Sequence, residues 1–255
     1  MTENIRNFIV HWIKEYAQEN GIKTLTVGIS GGIDSALTST LCALTGINTI
    51  VVSMPIHQKK AELHNAEKHA DWLVNLYPNV QKELIDLTIL FEEYKKTIPT
   101  KFHSQLNLAN ARARIRMTTL YQIAGSQNGL VVGTGNKIED FGIGFFTKYG
   151  DGGVDISPIA DLTKSEVKNL AQYCKIHRDI INAPPTDGLW DDGRTDEDQI
   201  GATYKELEWA MNYCNDTKIT KRQMKVLKIY NKLNEKNKHK TEPIPVCYIP
   251  KHIKN

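Results

Sequence analysis

Residues 24–35, Thr-Leu-Thr-Val-Gly-Ile-Ser-Gly-Gly-Ile-Asp-Ser, constrain this chain more than any other stretch. A short β-rich apolar run, 24–29, meets two adjacent glycines, and an Ala/Leu-rich helical stretch, 36–44, follows at once. A second apolar run, 48–54, ends at Pro55. Strand, tight turn, helix, strand is a βαβ unit, which requires a parallel sheet with helices on its faces. The turn then falls at the carboxyl end of a strand, where open α/β sheets bind ligands. Its glycines leave backbone N–H groups uncovered, and the helix behind them presents its positive dipole end, so an anion is favoured. Ser30 and Ser35 add hydroxyl donors. Asp34 opposes a bare phosphate unless it holds a divalent metal that the phosphate also binds. No Lys-Ser or Lys-Thr follows the glycines, which excludes a Walker A loop; the dinucleotide fingerprint does not fit either.

The rest of the chain extends the same alternation. Ile5, Phe8, Ile9, Trp12, Ile13 and Tyr16 recur at three- and four-residue steps and predict an amphipathic helix closing near Gly21. Helices are predicted over 60–76 and 105–126, the second with Leu106, Ala109, Ala113, Met117, Leu120 and Ile123 on one face. Short strands are predicted over 83–87 and 130–134. Thr163 and Glu166 form a capping-box pattern that opens a helix over 163–173. No internal repeat and no Gly/Ser/Pro linker divides the 255 residues, and 40% hydrophobic residues supply one large core. The reading is a single domain, 1–255, on a doubly wound (Rossmann-like) parallel sheet of five strands with helices on both faces.

The balance of 32 Lys+Arg against 29 Asp+Glu leaves a net charge of +3, too little to argue for nucleic acid or an acidic membrane surface. Near-neutrality hides segregation. Residues 184–199 carry six acids and one base with no period, which reads as a mobile lid or binding loop. Residues 218–240 carry nine Lys/Arg against one acid, Glu235, while Met224, Leu227, Tyr230 and Leu233 keep a helical stripe. This basic tail reads as a solvated helix face or as a patch that meets an anionic ligand. Cys42, Cys174, Cys214 and Cys247 form no CxxC pair, so neither a zinc ribbon nor a thioredoxin-type site is expected. The polar start and the lack of any run of ~18 apolar residues point away from export or a membrane span, and towards the cytoplasm.

Ser30-Gly31-Gly32-Ile33-Asp34-Ser35 resembles the SGGxDS loop of the ATP pyrophosphatases. That resemblance implies ATP cleavage between the α- and β-phosphates and adenylation of an acceptor oxygen. Phe145-Phe146-Thr147-Lys148-Tyr149-Gly150-Asp151-Gly152-Gly153-Val154-Asp155 narrows it further, being similar to the TKxGDGGxD segment of ammonia-dependent NAD synthetases. Asn110–Met117 resembles that family's NxxARxRM, and Gly133–Glu139 its GTxNKxE. Leu162-Thr163-Lys164, Pro185-Thr186, the run from Asp196-Glu197 to Gly201 and Tyr204, and His239-Lys240 follow in the family's order. Residues 140–144 are one residue longer than in some relatives.

The resemblance implies an ATP site of Gly28, Ile29, Ser30, Gly31, Gly32, Ile33, Asp34, Ser35, Thr134, Lys164 and Thr186, with Mg²⁺ held by Asp34 and Glu139. Two carboxylates plus phosphate oxygens suit octahedral Mg²⁺. It implies that Arg114, Lys148, Asp155, His239 and Lys240 bind deamido-NAD, and that the enzyme is a homodimer. Asp34 and Lys164 are expected at the reacting centre, Lys164 to neutralise the departing pyrophosphate. Asp151 is placed there too, orienting ammonia or holding a second metal. Arg112, Arg114 and Arg116, at two-residue steps, cannot share one helical face, so at least one is solvated or structural. The chain has no room for a glutamine-hydrolysing domain and no N-terminal Cys nucleophile, so free ammonia is the expected nitrogen donor. Two rivals stand beside this reading. Another ATP pyrophosphatase ligase would show an RNA-binding appendage or paired cysteines. A regulatory protein that holds ATP without turnover would leave Lys148, Asp151 and Asp155 unexplained.

Overall fold

A computed structural model of the chain describes residues 2–58, 60–185, 195–214 and 218–254, without the side chains of residues 60–62. It opens with α1 (Thr2–Glu19), β1 (Thr24–Gly28), α2 (Ile33–Leu44), β2 (Asn48–Ser53), α3 (Lys60–Leu76) and β3 (Val80–Leu84). Helices α4 (Thr88–Thr97) and α5 (Gln105–Ser126) then lead to β4 (Gly129–Val131). All pairings are parallel, in the order β3-β2-β1-β4. The chain thus builds outward from β1 through β2 to β3 and returns to add β4 on β1's other side. This reversal opens a crevice beyond the carboxyl ends of β1 and β4.

The alternation of side chains decides which helices lie on which face. Leu25 and Val27 pack with α1 and α2 and with α6 (Lys164–Tyr173). Val51, in register with Val27, adds α3 to that side. Ile50 and Val52 point the other way, to α4 and α5. Helix α2 is the most deeply set, with nine residues from Ser35 to Ala43 all buried. Two of its hydroxyls bond within the helix: that of Ser39 donates to the Ser35 carbonyl (2.8 Å) and that of Thr40 to the Ala36 carbonyl (2.7 Å).

The expected fifth strand is a correction: among the described residues the sheet has four strands. Beyond β4 the returning chain makes only an isolated bridge, Val132 to Ile156. Here the Asp155 side chain replaces ladder geometry. Its backbone N–H donates to the Val131 carbonyl (2.9 Å), but the Val131 N–H donates to the Asp155 carboxylate (2.8 Å) rather than to a neighbouring carbonyl.

A smaller layer covers the carboxyl end of the sheet. It joins α9 (Tyr204–Met211) and α10 (Lys221–Asn237) through a core of Ile138, Ile143, Leu207 and Val226. Leu227, Tyr230 and Leu233 of the expected basic helix pack against it, while Met224 is exposed. The Arg222 guanidinium grips Glu206 at 2.7 and 2.6 Å and fastens α10 to α9. Residues Lys137–Ile143 form a π-helical turn. Between α6 and this layer run two one-turn helices, α7 (Arg178–Asn182) and α8 (Asp196–Ile200). Helix α8 corrects part of the 184–199 loop reading: Thr195 and Asp198 form a capping box. Residues 186–194 of that expected lid lie outside the described residues. Among the described residues no helix is long and apolar enough to cross a membrane.

Candidate active site

A cavity of about 1090 Å³ opens at the reversal point, floored by residues 28–35 and walled by α5, residues 132–135, α6 and α9. Its floor takes shape from side chain–backbone bonds within the turn. The Ser35 hydroxyl donates to the Gly32 carbonyl (3.0 Å) and accepts the Ser30 N–H (3.2 Å), and the Gly32 N–H donates to the Ser30 hydroxyl (3.2 Å). Gly31 has φ of +87°, a left-handed conformation that a side chain would strain. Gly32 caps α2 with no side-chain bond, which leaves the helix N-terminus to an anion.

One cation and two carboxylates meet above this floor. The Lys164 ammonium lies 2.5 Å from Asp34 Oδ2 and 2.9 Å from Glu139 Oε1, all three side chains being 15–17% exposed. Lys164 is the first residue of α6, held there by the capping box between Thr163 and Glu166. Asn136 organises the acids: its Nδ2 donates to Asp34 Oδ1 (3.2 Å), and its Oδ1 caps the π-helical turn by accepting from the N–H groups of Ile138 and Glu139, both at 3.1 Å. Burial raises the Asp34 carboxyl, with Lys164 opposing and Glu139 adding to the rise. Burial also acts against the Glu139 charge. Lys164 and hydrogen bonds from Tyr204, Lys164 and Asn136 outweigh it and hold that carboxyl below its ordinary range. Burial penalises the Lys164 ammonium, but Asp34 and Glu139 keep it protonated.

Two further carboxylates line the cavity. Asp140 packs so closely that a Cβ on Gly135 would fall 1.8 Å from its Oδ2. Burial, then Glu139, Asp151 and Asp34, push its carboxyl up to about 8. Asp151 is reached by solvent from within the cavity, yet the surrounding protein still raises its carboxyl by desolvation. Its Oδ1 accepts the Thr147 N–H at 2.9 Å. The Lys240 ammonium stands opposite, on the carbonyls of Gly144 and Phe146 at 2.7 Å each.

The expected site residues fall into two groups. Gly28 to Ser35, Thr134, Glu139, Asp151, Lys164 and Lys240 line the cavity. Arg114, Lys148, Asp155 and His239 do not. They form a band along the outer side of α5: Arg114 donates to the Lys148 carbonyl (3.2 Å), Lys148 to the His239 carbonyl (2.6 Å), and Tyr121 to Asp155 (3.0 Å). Thr186 lies outside the described residues. The three arginines go three ways, as their spacing requires: Arg112 over the Phe91 ring, Arg114 to Lys148, and Arg116 to the Met54 carbonyl at 2.9 Å. Sequence reasoning gave no task to Asn136, Asp140 or Tyr204. The signal for Asn136 was present, because Asn-x-x-Glu is a helix-start pattern. For Tyr204, whose hydroxyl meets Glu139, no spacing rule would have found it.

Known proteins agree with this architecture. The NAD synthase family profile matches residues 5–244. An NH(3)-dependent NAD(+) synthetase of Alkaliphilus metalliredigens is 40% identical over 210 residues, 78% of this chain and 82% of that protein. Among solved structures, NMN synthetase from Francisella tularensis superposes with a TM-score of 0.86 at 28% identity, over 98% of this chain and 99% of that one. The NH3-dependent NAD synthetase from Campylobacter jejuni does so with a TM-score of 0.77 at 27% identity, over 97% and 100%. A family profile that covers nearly the whole chain, together with relatives matched along most of their own length, makes this chain a member of the NAD synthase family.

Proposed function

We propose that this chain is a cytoplasmic, homodimeric ligase that makes NAD by amidating deamido-NAD with ammonia at the expense of ATP. The observation that carries the proposal is the convergence of Asp34, Glu139 and Lys164 above an anion-binding turn. Carboxylate accepts ammonia poorly because oxide is a poor leaving group, and adenylation removes that obstacle. The nicotinate carboxylate would attack the α-phosphate, forming a mixed anhydride and releasing pyrophosphate. Ammonia would then attack the activated carbonyl and AMP would leave.

In this reading the N–H groups of Gly31 and of the first turn of α2, with the α2 dipole, hold the pyrophosphate portion of ATP. Lys164 turns from the carboxylates to the phosphates as charge builds on them. Thr134, at the cavity wall, contacts ATP, as does Thr186. Mg²⁺ fits the donor set: two hard oxygen ligands converge closely enough to share one ammonium, and a Mg²⁺ bound to ATP needs few protein ligands. When bound by Asp34 and Glu139, it would supply charge neutralisation on the phosphates. Asp151 is suited to orient ammonia, and the Lys240 ammonium opposite favours its charged form. The band of Arg114, Lys148, Asp155 and His239 would take the rest of the dinucleotide outside the ATP cavity, beside the exposed flank of α5 where a second copy would pack.

A second reading concerns the acceptor alone. The neighbour with a TM-score of 0.86 is named an NMN synthetase, which favours a nicotinate mononucleotide in place of the dinucleotide. Offering both acceptors with ATP, Mg²⁺ and ammonium decides between them. Deamido-NAD-dependent release of pyrophosphate and AMP is expected; release with neither acceptor refutes the ligase reading, and release with the mononucleotide alone selects the second. Asp34→Ala retaining full activity would refute the metal assignment.

A further inference from the structure

The motif that ends at Tyr204 assigns that residue no task, yet its side chain meets three charged groups in the cavity wall. It is 6% exposed. Its hydroxyl donates to Glu139 Oε1 at 2.5 Å and lies 3.4 Å from Asp196 Oδ2. Its backbone N–H donates to Glu197 at 2.8 Å, and the Lys164 ammonium sits 4.9 Å from its ring centroid. Asp196 and Glu197 begin α8, in the acidic segment of the sequence.

We infer that Tyr204 is a positioning residue for Glu139, fixing that carboxylate through its hydroxyl and tying it to α8 through Asp196. The inference rests on the proposal that Asp34 and Glu139 receive a divalent cation. Lys164 and Tyr204 now share Glu139 Oε1. A cation that releases Lys164 leaves the phenol as the donor that keeps the carboxylate in its rotamer, and hydrogen bonds to ionised acceptors are the stronger ones. Asn136 performs the matching task for Asp34. Asn136 also favours the Glu139 charge, so these two neutral donors together serve both candidate ligands.

Tyr204→Phe removes the hydroxyl and keeps the ring against Lys164. The probe is Mn²⁺, titrated into the full chain by electron paramagnetic resonance with a non-hydrolysable ATP analogue present. Mn²⁺ affinity should weaken by about 10–100-fold. In turnover assays the Mg²⁺ requirement should rise similarly, with kcat at saturating Mg²⁺ within about threefold of wild type. Asp196→Asn, which leaves the ring in place, should weaken Mn²⁺ binding by a few-fold and serves as the test if the Phe variant does not fold; unchanged binding in it removes the link to the acidic segment. Unchanged Mn²⁺ affinity in Tyr204→Phe, when Asp34→Asn abolishes binding, overturns the inference alone. Unchanged affinity in Asp34→Asn as well overturns the metal reading beneath it.

Discussion

Lys164→Met removes one charge and keeps most of the stem, so it isolates what the ammonium does. In the wild type that ammonium lies 2.5 and 2.9 Å from two carboxylates, and each of the three side chains is no more than 17% exposed. Without it Asp34 and Glu139 face one another with only Asn136 and Tyr204 as donors. Removing one partner of a buried ionic cluster costs about 3–5 kcal/mol. At about 2–4 °C per kcal/mol for a chain of this size, the melting temperature should fall by roughly 6–20 °C.

Two dependences separate this mechanism from a packing defect. Asp34 already has a raised carboxyl pKa, and losing Lys164 raises it further. A group raised above its unfolded value stabilises the fold below that value and loses the contribution as pH rises through the folded one. The deficit should therefore shrink between pH 7.5 and pH 5. Millimolar Mg²⁺ should stabilise the variant more than the wild type, where it must first displace the ammonium. Calorimetric melting at both pH values, in EDTA and in Mg²⁺, measures all of this. Melting within 2 °C of the wild type in EDTA, or equal stabilisation of both proteins by Mg²⁺, would refute the reasoning.

Burial holds the His69 imidazole, 2% exposed against Ser39, down to about 4 from its ordinary 6.5. Over that window the unfolded chain binds a proton that the folded one refuses, so stability should drop as pH falls from 6.5 to 4. A gap of 2.5 pH units gives about 3 kcal/mol, and urea titrations of His69→Gln should show the slope flattened. Gly135→Ala would set a Cβ 1.8 Å from Asp140 Oδ2 and should cost about 1–3 kcal/mol in melting experiments along with most of the activity. Thr163→Ala breaks the capping box that presents Lys164; about 1 kcal/mol should be lost in denaturant titrations, and an unchanged KM for ATP would show that the cap plays no part in placing that lysine. Calorimetric titration should find ATP binding in EDTA at least tenfold weaker than with Mg²⁺.

The elements most legible in the sequence are those with a long period or an explicit cap. The structure places α3 and α5 at the predicted bounds, and α6 starts one residue after its predicted cap, Thr163. The expected strand over 83–87 forms instead at Val80–Leu84. That strand lies at the sheet edge with Gln81, Lys82, Glu83 and Leu84 exposed, so it carries no apolar run to read. The apolar signal came from Ile85 and Leu87, which turn into the α4–α5 core after the strand ends. Helix α8 escaped because five residues hold no full apolar period, and only its cap pair, Thr195 and Asp198, marks it.

The site divides along the same line. The anion-binding turn is contiguous, so its chemistry was readable from six residues. The charges above it come from afar: Asn136 reaches Asp34 across 102 positions, Lys164 across 130, and Tyr204 reaches Glu139 across 65. The near-neutrality of the whole chain recurs at this scale. Among the described residues the cavity lining holds six acids, Asp34, Glu139, Asp140, Asp151, Asp196 and Glu197, against six bases, Arg116, Lys164, Lys168, Lys205, Lys236 and Lys240. With the Asp140 carboxyl pushed up to about 8, the balance tips only slightly to positive, so the lining offers a polyanionic nucleotide little general field. Its phosphates must be met one by one, by backbone N–H groups, by a released lysine and by the cation they carry in. Recognition of that kind depends on geometry rather than on net charge. It also explains why a protein with a charge of only +3 can be built around ATP.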